Sequence, residues 1–304
     1  MCAKKKAKKI NKQKLNKIQK QKLNDFLVLT IYNNIKNNHK KLFESYDFSY
    51  HTQIYDLKTI IDGCLQFIKI SSSWRNFKYK NINYSTLYFH FIKLNKYKIF
   101  EETYSMLLNR YLKKKFNKKM KYVYSDTTTV YNKLNSDKVK RNTYNKNKKV
   151  IKISLITDSI GIPIDTIIES GNTYDSKILY DQISKFNHDN KYKKSIFLAD
   201  SGYDSVKLKN ELHKIFNTTI IIPNNRNTKN ESKKRKLNDN EKIIYKKRIR
   251  IEHTNQKIKS YRRLNMIYER KIKNYEQLLF LALCDIIIIE MYKDNVINNK
   301  KLKL

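Results

Sequence analysis

The sequence predicts an α/β fold, a mixed sheet flanked by helices and preceded by a smaller helical region. Three observations carry this. From Phe26 to about Phe116, apolar residues recur at three and four residues, the helical period. At Lys121 the chain turns β-branched and aromatic. After that, three strand-like runs are followed by helices and strands in alternation, the order of a mixed sheet.

The elements follow in order. Residues 1–25, MCAKKKAKKINKQKLNKIQKQKLND, read as a basic flexible arm. No apolar h-region follows its charge, so it is not a secretory signal, and a solvated tail and a nuclear-localisation-like patch are both open. In residues 26–116, FLVLTIYNNI, TQIYDLKTIIDGCLQFI, STLYFHFIKL and FEETYSMLLNRYL read as short helices, which suit a DNA-binding region or a plain bundle equally. KYVYSDTTTVYNK reads as a strand holding Asp126. Past the polar loop SDKVKRNTYNKNKK, the strands VIKISLIT and IPIDTIIES are joined by DSIG as a tight hairpin. YDSKILYDQISKF is helical, and SIFLAD is a short apolar strand running into Ser201-Gly202. A helix from about Ser205 to Phe216, a strand TTIIIP, a charged loop NNRNTKNESKKRKLNDN and a long helix from about Glu241 complete it. The apolar run LLFLALCDIIIIEMY is broken by Asp285 and Glu290 below the roughly 18 residues a membrane span needs, so it reads as a buried helix. The sheet domain spans residues 117–292, and 293–304 form a basic tail.

Composition narrows the partner. With 66 Lys and Arg against 27 Asp and Glu, the formal charge is +39 over 304 residues, which calls for a polyanion. Nucleic acid leads and an anionic membrane surface comes second. The abundance of Lys, Asn, Ile and Tyr reflects an AT-rich coding sequence, but Asp and Glu codons tolerate that bias too, so drift alone leaves the asymmetry unexplained. Cys2, Cys64 and Cys284 stand far apart with no C-x-x-C pair, against a zinc ribbon and against a disulfide framework. A reducing intracellular compartment fits.

Two acids need a reason. Asp126 interrupts a strand, and Asp200 ends one just before a turn, where ligands collect in open α/β sheets. Asp200 as a turn-capping residue and Asp126 as a misplaced strand end are the structural alternatives. Asp158, Asp165, Asp175 and Asp204 fall in turns or at helix starts and read as structural. A third acid, Glu252, sits in YKKRIRIEHTNQKIKSYRRL among eight lysines and arginines. On a continuous helix Tyr245, Arg248 and Lys259 lie roughly 20°, 40° and 20° from it, on one face. That stripe is either a surface ion pair of Glu252 with Arg248, or a carboxylate that joins two others around cations while bases hold phosphates.

The spacing Y-(2)-R-(3)-E-(6)-K, met by Tyr245, Arg248, Glu252 and Lys259, resembles the signature of insertion-sequence DDE transposases. YSDTTTV resembles that family's first-aspartate segment and FLADSGYDS its second. IEHTNQKIKSYRRL with YERKIKNYEQLLFLAL resembles its glutamate helix and extension, and the segment with Trp74 and Arg75 its N-terminal W-R region. The resemblance runs in order from about Gly63 to Asp285. It implies an RNase H-like catalytic domain in which Asp126, Asp200 and Glu252 are the catalytic residues and hold two Mg²⁺ or Mn²⁺ ions, hard cations that favour carboxylates. Tyr245, Arg248, Lys259, Arg262 and Arg263 would then bind DNA phosphate. Double-stranded DNA, as element ends and target, is the implied partner, with a homo-oligomer on DNA and no membrane. The location would be intracellular, in the nucleus or a viral factory if the host is eukaryotic. Only 51 residues separate Asp200 from Glu252, too few for the large β-rich insertion of some relatives, so a compact domain is expected. A non-catalytic, transposase-derived DNA-binding protein and an RNA-binding basic protein are the competing readings.

Overall fold

The computed structural model describes residues 15–47, 55–70, 72–115, 121–132, 134, 136–143, 146–185, 195–216, 219–224, 237–294 and 297. Helix α1 (Lys17–Asn38) starts at a capping box: Asn16 accepts from the Gln19 backbone N–H, and the Gln19 side chain accepts from that of Asn16. This start corrects the expected arm. Residues 1–14 lie outside the described residues, but from Lys17 onward the segment is helix, held by Leu23, which is buried in the core. Four more helices follow: α2 (Lys40–Asp47), α3 (Leu57–Lys69), α4 (Tyr84–Lys96) and α5 (Ile99–Lys115).

The sheet comprises β1 (Tyr122–Asn132), β2 (Lys140–Asn142), β3 (Lys148–Thr157), β4 (Pro163–Ser170), β5 (Ile196–Leu198), β6 (Thr219–Ile221) and β7 (Met266–Ile267). Its backbone order is β4-β3-β1-β5-β6, with β2 beside one end of β3 and β7 beside the end of β1. β1, β3 and β4 run antiparallel, whereas β5 is parallel to β1 and β6 to β5. Three antiparallel strands with two parallel ones added beside the first make this the RNase H-like arrangement. β3 is buried along its length past Lys149, which is why VIKISLIT reads as an apolar run rather than an alternation. The one cation in this buried stretch, Lys152, is neutralised at 2.7 Å by Asp175. β2 (KRN) and β7 (MI) went unpredicted because neither carries the apolar, β-branched run that marks the equally short β5 and β6.

Helices α6 (Asp175–Lys185) and α7 (Val206–Phe216) precede and follow β5. The helix expected from Glu241 is two: α8 (Asp239–Tyr245) and α9 (Ile249–Ser260), separated by a tight 3₁₀ turn over Lys246–Arg248. Between Asp200 and Glu252 the described residues hold α7, β6 and α8 with no β-rich insertion; residues 225–236 of the charged loop lie outside them.

Helix α10 (Ile272–Lys293) is apolar nearly all round and buried nearly all round, packing on α1, α3, α4 and α5. Asp285 inside it accepts from the Tyr261 hydroxyl at 2.9 Å and lies 3.6 Å from Lys69, so its charge is answered. One continuous hydrophobic core links the N-terminal helices, α10 and the sheet. The segments 26–116 and 117–292 therefore do not have separate cores. Among the described residues no helix is long and apolar enough to cross a membrane.

Candidate active site

The register of the sheet places the two aspartates. Tyr124 pairs with Leu198 across the parallel β1/β5 ladder. Asp126 and Asp200 each lie two residues further on, so they reach the same level on neighbouring chain segments and, by the two-residue period, the same face. Asp200 Oδ1 accepts from the Gly202 backbone N–H at 2.8 Å and caps a 3₁₀ turn over Ser201–Tyr203. The capping alternative is thus real, but it uses one oxygen; Oδ2 has no hydrogen-bond partner among the described residues. A Cβ on Gly202 would stand 3.0 Å from that Oδ1, so a larger residue there would press on the Asp200 carboxylate. Tyr203, buried, shares a 2.6 Å hydrogen bond with Thr127 Oγ1 and so fastens the Asp200 turn beside Asp126.

Glu252 comes from α9, which lies against β1. Two bonds fix that helix. Asn255 Nδ2 donates to Asp126 Oδ2 at 2.8 Å, and Thr254 Oγ1 donates to the Gly161 carbonyl at 2.6 Å. Gly161 lies in the DSIG hairpin at φ +92°, and a Cβ there would stand 2.7 Å from Thr254 Oγ1. Asp158 organises the same turn: it accepts from the backbone N–H of Ile160 and Ile162 and, at 2.8 Å, from the Tyr111 hydroxyl. It is structural, as its turn position predicts. Asn255 and Thr254 were not singled out in the sequence; their spacing with Ile251 and Ile258 on the buried face of α9 is the signal that marks them.

Arg248 joins the acids. Its Nη2 donates to Glu252 Oε1 at 2.9 Å, and its Nη1 lies 3.4 Å from Asp126 Oδ1 and is buried without a hydrogen-bond partner. The surface-pair alternative is therefore half right: Glu252 does bridge Arg248, but the guanidinium is only 15% exposed and reaches a second acid. Burial pushes the Asp126 carboxyl up to about 6, against the pull of Arg248, with Asp200 and Glu252 raising it further. The Tyr245 ring lies beside Arg248, 5.9 Å from centroid to guanidinium carbon, and burial raises its hydroxyl too.

The remaining expected contacts divide. Lys259 is partly exposed with no ion-pair partner among the described residues, and Arg262 is exposed. Arg263 is not available to DNA. It is 1% exposed, paired with Glu269 at 2.5 Å, bonded to the Ser72 carbonyl at 2.9 Å, and stacked near Phe67 and Tyr268. Its neighbour Trp74 stacks on Phe67 at 3.6 Å, so the W-R segment is tied to the end of α9 through this cluster.

The donor set suits a hard divalent cation: carboxylate oxygens, one of them desolvated and short of positive charge. Among the described residues no three acids, histidines or cysteines close around a common point. The Arg248 guanidinium lies between two of the acids, Asp126 and Glu252, and answers their charge.

A family model described as transposase DDE domain matches residues 118–285. No curated protein sequence is significantly similar to the chain. Among solved structures, a piggyBac transposase synaptic complex with hairpin DNA is similar at 12% identity, with a TM-score of 0.44, over 92% of this chain and 69% of that one.

Proposed function

The chain belongs to the transposase DDE-domain family, and from that premise we propose that it cuts the ends of a mobile DNA element and joins them to target DNA. Asp126, Asp200 and Glu252 are the catalytic acids and would hold a pair of Mg²⁺ or Mn²⁺ ions. Bound there, the ions supply Lewis-acid stabilisation of the attacking and leaving oxygens in an in-line displacement at phosphorus.

The chain's own residues do the rest. The β1/β5 ladder and the Gly202 turn hold two carboxylates level, while Asn255 and Thr254 hold the third over them. Arg248 neutralises the acids before the ions arrive. Its fork geometry also suits a DNA phosphate, which it would hold beside these acids. Tyr245, Lys259 and Arg262 flank the same helix and extend the phosphate contact. The high net charge attracts DNA and would make its binding salt-dependent.

The observation that carries this reading is that one guanidinium, Arg248, pairs with both Asp126 of β1 and Glu252 of α9, while the register of β1 and β5 sets the Asp200 turn level with Asp126. A non-catalytic DNA-binding role keeps one point in its favour: the described acids do not already form a closed cation site. Incubation of a labelled duplex bearing the element's own end with Mg²⁺, Mn²⁺ or EDTA separates the two. Metal-dependent cleavage by the wild type, lost in Glu252→Gln with DNA binding kept, is expected. Binding of that end with no cleavage in either metal would sink the catalytic reading and leave the DNA-binding one.

A further inference from the structure

Besides Arg248, a second group of cations stands at the start of β1. By the two-residue period Tyr122 and Tyr124 share a face of the strand with Asp126, and their rings stack 6.5 Å apart, inclined by 10°. Tyr122 is held firmly. Its backbone N–H donates to Ser159 Oγ at 3.2 Å, and the Ser159 hydroxyl donates back to its carbonyl at 3.1 Å. Its own hydroxyl accepts from Lys247 Nζ at 2.7 Å. That ammonium also lies 4.2 Å from the centre of the Tyr122 ring, and the ammonium of Lys121 lies 5.5 Å from it. Lysine ordinarily carries its charge on a flexible stem. Lys247 is instead pinned by a hydrogen bond and a ring face, in the 3₁₀ turn whose last residue, Arg248, reaches the acids.

No carboxylate answers these charges. Lys121 and Lys247 are exposed, and neither has an ion-pair partner among the described residues. The hydrogen bond from Lys247 and the charges of both lysines hold the Tyr122 hydroxyl below its ordinary pKa, against its burial. Arg248 is matched by two acids, whereas here two ammonium groups gather on one neutral phenol. Like charges held together repel, so the arrangement gains most when an anion joins it. Because Lys247 is already ordered, that anion costs little side-chain entropy to bind. Tyr122 and Asp126 stand four residues apart on an extended strand, about 13 Å. At about 3.4 Å of duplex axis per nucleotide, this is a span of no more than about four nucleotides.

We propose that Lys121 and Lys247, held by Tyr122, form a second phosphate site, which seats one backbone phosphate of the DNA no more than about four nucleotides from the phosphate at the acids. This rests on the DNA-cutting reading above and deepens it. A strand gripped at two points has its direction across the acids set, which a single guanidinium leaves open.

Anisotropy at fixed salt in EDTA tests it with the whole chain and a set of duplexes bearing the element's own end, each with one phosphate made neutral as a methylphosphonate. The wild type is expected to lose roughly tenfold in affinity at one position within about four nucleotides of the scissile phosphate, the cost of a charge-assisted bond. The double variant Lys121→Met/Lys247→Met, altered only at exposed positions, should bind the unmodified duplex roughly tenfold weaker and lose nothing further at that position, while losses elsewhere persist. Tyr122→Phe keeps the ring and removes the hydroxyl, and should bind the unmodified duplex roughly threefold weaker, with a smaller loss at the same position. Lys246→Met, at the neighbouring exposed lysine, should keep the wild-type pattern. A wild type with no such position, a double variant that still loses affinity there, or a Lys246→Met that erases the loss equally would overturn the proposal. A position-specific loss without wild-type cleavage in either metal leaves the phosphate site standing and removes the catalytic reading, and cleavage with no such position does the reverse.

Discussion

Asn255 donates from Nδ2 to Oδ2 of Asp126 at 2.8 Å, so the helix that presents Glu252 is bonded directly to the strand that presents the first aspartate. A hydrogen bond to a carboxylate is worth about 1.5–3 kcal/mol. Asn255→Ala is therefore expected to slow single-turnover cleavage by roughly 10- to 100-fold while DNA affinity stays within about twofold. Equal losses in both would make Asn255 a general folding residue instead.

Gly161 couples the hairpin to the same helix. At φ +92° and with Thr254 Oγ1 2.7 Å from any Cβ, Gly161→Ala forces both backbone strain and a shift of α9. A loss of about 1–3 kcal/mol in urea unfolding is expected, together with slower cleavage. Unchanged stability would show that the turn relaxes without α9.

Burial is the main reason the Asp126 carboxyl titrates near 6, well above its value of about 3.9 in an unfolded chain. Between those pH values the folded state binds more protons than the unfolded one, so this group's contribution to stability falls as pH rises through the window. The side chain is only 17% exposed, so solvent screens little of the effect. Asp126→Asn is expected to stabilise the metal-free protein by about 1–2 kcal/mol at pH 7, part of the relief being offset by the lost Arg248 pair, and by close to nothing at pH 4. Urea unfolding at the two pH values measures it. Destabilisation of the same size at both would contradict the sign.

Two adjacent arginines should behave oppositely. Arg263→Ala strips the partner from Glu269, both nearly fully buried, and is expected to destabilise by about 3–5 kcal/mol without changing the salt dependence of DNA binding in the folded fraction. Arg262→Ala should leave stability within about 0.5 kcal/mol and lower the slope of log affinity against log salt by roughly 1. A reduced slope for Arg263→Ala would return it to the DNA surface.

Much of the sheet was legible because its strands are apolar and β-branched: β1, β3, β4, β5 and β6 all fall within the runs that mark them. β2 and β7 were not, since each exists only as a partner for one end of a longer strand. The single long helix from Glu241 failed for a related reason. Nothing in KIIYKKRIRIE marks the 3₁₀ turn over Lys246–Arg248, or the contact of Arg248 with Asp126 as well as Glu252. Arg262 and Arg263 look alike in sequence, yet Glu269 lies six residues further on and the Ser72 carbonyl far back in the chain, and these bury only the second.

The sequence by itself determined the strand and helix types, the basic character and the three acids with their spacing, because period, residue chemistry and turn residues act over a few neighbours. Tertiary structure decided which of those residues meet. The level of Asp126 with Asp200, the hold of Asn255 and Thr254 on α9, the burial of Arg263 and the pinning of Lys247 on Tyr122 all join residues distant in the chain. Such pairings depend on how a helix lies across a sheet, and packing of whole faces sets that, not the pattern along any one segment.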